Sequence, residues 1–143
     1  MPFPSVARAR FAVVVLALGL VAPSVPAFAL DCAEGAFAMA RLELYFGTQR
    51  PGGAPVTAAE WGAFLDEEVT PRFPDGLTVL QGNGQWRNGQ GVVTKETSAV
   101  LLVLYEPSAE KEAAIQDIRA AYKDRFDQQS VMRVDAGEQC VSF

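Results

Sequence analysis

The chain has 143 residues, with 12 Lys and Arg against 17 Asp and Glu, and no histidine. Lack of imidazole removes Ser-His-Asp and Cys-His nucleophile pairs, a histidine general base and any His-containing zinc site. Two cysteines are too few for a four-thiolate metal centre, so no metal and no cofactor is expected, and a net charge of −5 argues against nucleic acid, whose phosphates call for a basic surface.

Arg8 and Arg10 carry the only charges at the amino terminus, and Phe11 to Ala22 follows as an apolar run. Ala27-Phe28-Ala29 then supplies a small-x-small cleavage site. This order is that of a secretory signal peptide, with cleavage expected after Ala29. The apolar run is shorter than the roughly 20 residues of a spanning helix, and Pro23 and Pro26 interrupt its continuation. No stable membrane anchor is therefore expected after cleavage. Residues 1–29 read as signal peptide and 30–143 as a single α+β domain, secreted or periplasmic. Cys32 and Cys140 both lie in that domain, and an oxidising compartment makes a disulfide between them the default. A reactive thiol would need a neighbouring cation, whereas Asp31, Glu34 and Glu138 supply acids.

Arg41 to Phe46 alternates strictly: Leu42, Leu44 and Phe46 share one face, and Arg41, Glu43 and Tyr45 the other, the pattern of a half-buried strand. A Gly/Pro-rich loop follows from Gly47 to Pro55. Thr57-Ala58-Ala59-Glu60 is a capping box, and Trp61, Phe64, Leu65 and Val69 form the stripe of a first helix, which Pro71 and Pro74 stop. A second strand begins at Leu77 and runs through Gly82 and Gly84, where a bulge or a close backbone approach is expected, to Trp86 and Arg87. Asn88-Gly89 signals a two-residue hairpin turn. The third strand returns from Val92, is interrupted by the polar stretch Lys95 to Ser98, and continues as the apolar run Ala99 to Tyr105. Ser108 caps a second helix through Phe126, with Ile115, Ile118, Tyr122 and Phe126 inward. Ser130 to Val141 reads as a fourth strand, broken or bulged near Ala136-Gly137.

The order β-α-β-β-α-β is that of a ferredoxin-like sandwich, an α+β fold with a four-stranded antiparallel sheet and both helices on one face. In this topology strands one and three are central and strand four lies beside strand one. That arrangement puts Cys32 and Cys140 next to each other, so patterning and cysteine placement agree.

Glu43-Leu44-Tyr45-Phe46-Gly47, the string from Glu60 to Thr78 ending in Thr-Pro-Arg-Phe-Pro-Asp-Gly-Leu-Thr, Gly82-Asn83-Gly84-Gln85-Trp86, and Tyr122 with Gln129-Ser130-Val131 together resemble a family of small exported bacterial proteins known only as a domain of unknown function. The resemblance covers roughly residues 40 to 135. It implies export and a compact α+β domain, and it carries over no activity and no catalytic residue.

The best polar constellation is Arg41, Glu43 and Tyr45 on the strand face turned away from the helices. An apolar third strand beside them would be oddly wet if that face were open, so a second copy packed sheet against sheet, with a pocket between, is one expectation. The plainer reading, charges paired across a solvated sheet face, is preferred because polar alternation is the ordinary strand pattern. Gly82 to Arg87 departs from the phosphate-binding G-x-G-x-x-G pattern and reads as a hairpin arm; Gln85 and Trp86 are its candidate contact residues, with Trp86 equally readable as an edge cover. Asp66-Glu67-Glu68 diverge around a helix and do not converge on an ion. The leading expectation is a non-catalytic binding module for a small molecule or another exported protein. The alternative is a cofactor-free, dimeric α+β-barrel enzyme in which Glu43 acts as acid or base, Tyr45 or Trp86 holds an apolar substrate, and Arg41 stabilises negative charge. A third expectation is an accessory subunit that docks through an apolar patch around strand three and Trp86.

Overall fold

A computed structural model describes residues 30–143 apart from Asn88. The expected signal peptide, residues 1–29, lies outside the described residues, as does Asn88 of the expected turn. The elements are β1 (Phe37–Gly47), α1 (Ala58–Phe64), β2 (Thr78–Arg87), β3 (Val93–Tyr105), α2 (Ala109–Phe126) and β4 (Met132–Val141). The sheet order is β2-β3-β1-β4, antiparallel throughout. This is the ferredoxin-like arrangement that the sequence pattern implies.

Strand alternation sends Leu42, Leu44 and Phe46 of β1 and Ala99, Leu101 and Val103 of β3 to the helix side, where all are buried. The helices answer with Trp61, Phe64, Ile115, Ile118, Tyr122 and Phe126 in the same core. Its centre is aromatic: the Tyr122 ring lies edge-on to Phe46 at 4.7 Å and to Phe64 at 5.1 Å. The Tyr122 hydroxyl donates to the Gly47 carbonyl at 2.8 Å, so its polar tip is satisfied while the ring is buried. Trp61 Nε1 is the one buried side-chain polar atom among the described residues without a partner.

Both helix starts follow their caps. Thr57 accepts from the Glu60 backbone while the Glu60 side chain returns to the Thr57 backbone, which satisfies two free amides at once. Ser108 accepts from the Lys111 amide at 3.1 Å. Beyond Phe64 the first helix widens into a π-helical segment, Leu65–Val69, closed by the Thr70 amide on the Leu65 carbonyl. The widening has a packing consequence. Residues five apart diverge by about 140° on an ordinary helix, but i→i+5 bonding brings them closer to one face, and Phe64 and Val69 are both fully buried while Leu65 is only partly so.

Three expectations need correction and a fourth is narrowed. β1 starts at Phe37, not Arg41. β3 is continuous through Lys95–Ser98, because those residues pair with Gly82–Gln85 of β2. Of the two readings of the β2 glycines the bulge is absent, since the register is unbroken, and the approach is tight only at Gly84, where a Cβ would stand 3.4 Å from Ser98 Oγ against 3.7 Å at Gly82. Arg87 pairs with Val93, and Gly91 between them is at φ +81°, so the connection is longer than a two-residue turn. The bulge expected near Ala136-Gly137 is present on β4, opposite the step from Met39 to Arg41. Cys32 and Cys140 form a disulfide with Cα atoms 5.5 Å apart. No helix among the described residues is long and apolar enough to cross a membrane.

Candidate functional site on the open sheet face

The alternation that buries Leu42, Leu44 and Phe46 turns Arg41, Glu43 and Tyr45 to the opposite face, two residues apart and therefore side by side. Their side chains close a clamp. Arg41 Nε and Nη2 donate to Glu43 Oε1 at 3.0 and 2.7 Å, and the Tyr45 hydroxyl donates to Glu43 Oε2 at 2.6 Å. Both carboxylate oxygens are thus engaged, and the Glu43 side chain is only 17% exposed. The Tyr45 hydroxyl and the Arg41 guanidinium favour the carboxylate and hold Glu43 below its usual range. Reciprocally, bonding to that carboxylate raises Tyr45, because losing the phenolic proton would set two anions together.

The surroundings of this clamp are apolar. Arg41, Glu43 and Tyr45 stand opposite Leu104, Leu102 and Val100 on β3, and opposite Ala136, Val134 and Met132 on β4. On β3 it is therefore Val100, Leu102 and Leu104 that face outward.

At the Arg41 end this face runs into a groove of about 830 Å³. The groove exists because β2 starts at Thr78, opposite Leu102, and leaves the outer edge of β3 uncovered beyond that point. Met39, Leu102 and Leu104 form its floor, the loop residues Phe73, Asp75, Gly76 and Leu77 one wall, and Tyr105 to Ser108 with Lys111 another. Gly76 is at φ +141°, a conformation that L side chains rarely adopt. Lys111 Nζ donates to the Arg72 carbonyl at 2.7 Å and lies 4.9 Å from the centre of the Phe73 ring, which fixes that wall to α2. A volume of this size is within the range of small-molecule sites.

The structure does not bring Gln85 or Trp86 to the clamp. Trp86 pairs with Thr94 and Glu43 with Leu102, so eight residues of β3 separate them, roughly 27 Å. Trp86 lines a smaller cavity of about 380 Å³ with Gln49, Arg50 and Thr94 at the far end of the sheet. Gln85, adjacent to Trp86 on the strand, faces the other side of β2. Sequence reasoning missed the groove, although its signal was in view: the Phe73-Pro74-Asp75-Gly76-Leu77-Thr78 portion of the longest family-like string supplies one of its walls. Among the described residues no group of three or more Cys, Asp and Glu is placed to hold a metal ion.

The family model described as Protein of unknown function (DUF3574) matches residues 41–143, and the chain belongs to that family. No curated protein matches it in sequence. Among solved structures it is similar to a phage SAM lyase in complex with S-methyl-5′-thioadenosine, with a TM-score of 0.55 and 14% identity over 82% of this chain and 97% of that one. It is also similar to CutA from Synechococcus elongatus PCC7942, with a TM-score of 0.51 and 15% identity over 75% of this chain and 83% of that one. At these identities the likeness is one of fold.

Proposed function

We propose that this member of the DUF3574 family is a non-catalytic binding module, exported by a signal peptide at residues 1–29, that takes a small, largely apolar anion in the groove beside Arg41. One observation carries the reading: the Arg41–Glu43–Tyr45 clamp borders an apolar groove through Leu104, which lies opposite Arg41 and lines the groove. Glu43 is a poor general base in this setting, since both its oxygens are occupied and its carboxyl is held ionised. Its role is to position its neighbours. Arg41 uses Nε and Nη2 on Glu43 and has no other hydrogen-bond partner among the described residues, which leaves N–H groups for an anionic oxygen. The disulfide fits an oxidising destination.

The probe is 1-anilinonaphthalene-8-sulfonate, an apolar monoanion, followed by fluorescence titration. Saturable binding is expected, weakened roughly tenfold in Arg41→Gln by loss of a charge-assisted contact and more in Leu104→Glu. Binding that ignores both substitutions would remove the reading. The fold neighbour that is a lyase favours a second one, an enzyme using the same face. Calorimetric titration with S-methyl-5′-thioadenosine separates the two: binding lost in Arg41→Gln, joined by turnover of SAM lost in Glu43→Gln, would replace the binding module by a catalyst.

A further inference from the structure

We propose that β2 is a dimerisation edge, on which two copies of this chain join β2 to β2, antiparallel, about a two-fold axis at Asn83. β2 is a border strand whose one neighbour in the sheet is β3. From Thr78 to Trp86 it contains no charged residue and no proline, and its register with β3 is unbroken over ten pairs. The other border, β4, contains Arg133, Asp135 and Glu138, carries a bulge and is tied down at Cys140. Charges, bulges and tethers are the means by which sheets keep a free edge from templating another strand. β4 has them and β2 does not.

The sequence of β2 selects the occupant. Gln81-Gly82-Asn83-Gly84-Gln85 reads the same in both directions, and Leu80 and Trp86 flank it. A two-fold axis at Asn83 therefore sets Gly82 against the partner's Gly84, Gln81 against the partner's Gln85, and Leu80 against the partner's Trp86. Leu80 and Trp86 share one face of β2 and are 53% and 39% exposed; opposed across the junction they make an aliphatic–aromatic cross-strand pair, twice. The opposed glutamine amides donate and accept in kind. No like charges meet, since Arg87 falls opposite the partner's Val79.

The same register repairs a weakness. β1 ends at Gly47, opposite Ser98, so beyond it Asn83–Arg87 and their partners Val93–Thr97 have no third strand and are held otherwise by Thr48 Oγ1 on the Thr97 carbonyl and the Gln49 amide on Glu96 Oε2. Such a two-stranded ribbon is marginal by itself. Pairing about Asn83 lays it against Val79–Asn83 of the other copy, a stretch already backed by β3, and each copy thereby supplies the other's third strand. The motif around Gly82 to Trp86, which lies far from the clamp, gains its explanation here.

Sedimentation velocity on the full chain tests the assignment. A dimer is expected, and Asn83→Lys, which sets two ammonium groups face to face on the axis, should raise its dissociation constant roughly fivefold or more with an unchanged far-ultraviolet circular dichroism spectrum. A second pair of variants fixes the register. Asn83→Cys should cross-link to its own copy under mild oxidation, with Cys32–Cys140 intact by peptide mapping. Gln81→Cys should not, because two copies of residue 81 would lie roughly 13 Å apart, too far for a disulfide. A chain that stays monomeric at millimolar concentration overturns the proposal, as does a dimer that tolerates Asn83→Lys or cross-links equally at both positions.

Discussion

At Glu43 a single carboxylate organises two neighbours, and the test of that arrangement is spectroscopic. The Tyr45 phenol donates to Glu43 Oε2, and this bond, first among its causes, raises the phenol above its ordinary value of 10.0. Glu43→Gln removes the negative charge and keeps an oxygen that can accept. The ionisation of Tyr45 should then move down toward the ordinary tyrosine range. Absorbance of the phenolate near 295 nm, titrated in both proteins, reads this as a difference curve. Tyr105 and Tyr122, raised mainly by burial, contribute equally to both and cancel. Superimposable titrations would mean that the clamp does not hold in solution, and Arg41 would then lose the orientation on which anion binding depends.

At the scale of the elements, α2 is sewn to β4 by a fork in which Arg133 Nη1 and Nη2 donate to the two oxygens of Glu112 at 2.7 and 2.8 Å. Bonding to Arg133, then to Gln116, lowers Glu112 to about 2, and the Thr57 backbone and Arg50 lower Glu60 to about 2 in the first capping box. A carboxyl depressed in the folded state stabilises it in full above its unfolded value, near 4.5, and loses that contribution as pH falls toward the folded value. Melting temperature should therefore drop between about pH 4.5 and 2. Glu112→Gln should melt lower than the parent at pH 6 and converge with it near pH 2; parallel curves would assign the acid sensitivity elsewhere. These helices were legible because their determinants are local: a cap, a stripe of four apolar positions, a stop. The clamp was legible for the same reason, since strand alternation alone puts Arg41, Glu43 and Tyr45 together. The groove was not, because it arises from where β2 begins relative to Leu102, a register that no local pattern encodes. Lys95–Ser98 read as an interruption because they belong mostly to the two-stranded ribbon, where alternation has no core to report.

At the scale of the whole molecule, the topology places the two ends of the domain side by side, and the disulfide closes a loop with a sequence separation of 108. The core itself runs from Leu42 to Val131, so neither cysteine belongs to it, and the bond acts chiefly by restricting the unfolded chain. Loop entropy assigns such a closure ~4–5 kcal/mol, a large share of the roughly 5–15 kcal/mol that holds a domain together. Replacing both cysteines with serine should lower the urea midpoint by that amount of stability. It should also raise the slope of the transition, because an unfolded chain freed of its loop exposes more surface. The native sheet should survive at 25 °C, since β1, β3 and both helices keep every buried contact. A variant that is unfolded outright would place the bond among the native packing forces, and one that loses under about 1 kcal/mol would show an unfolded state already held compact by other means. The combination of a lower midpoint, a steeper slope and an unchanged native spectrum distinguishes a tether from a brick of the core.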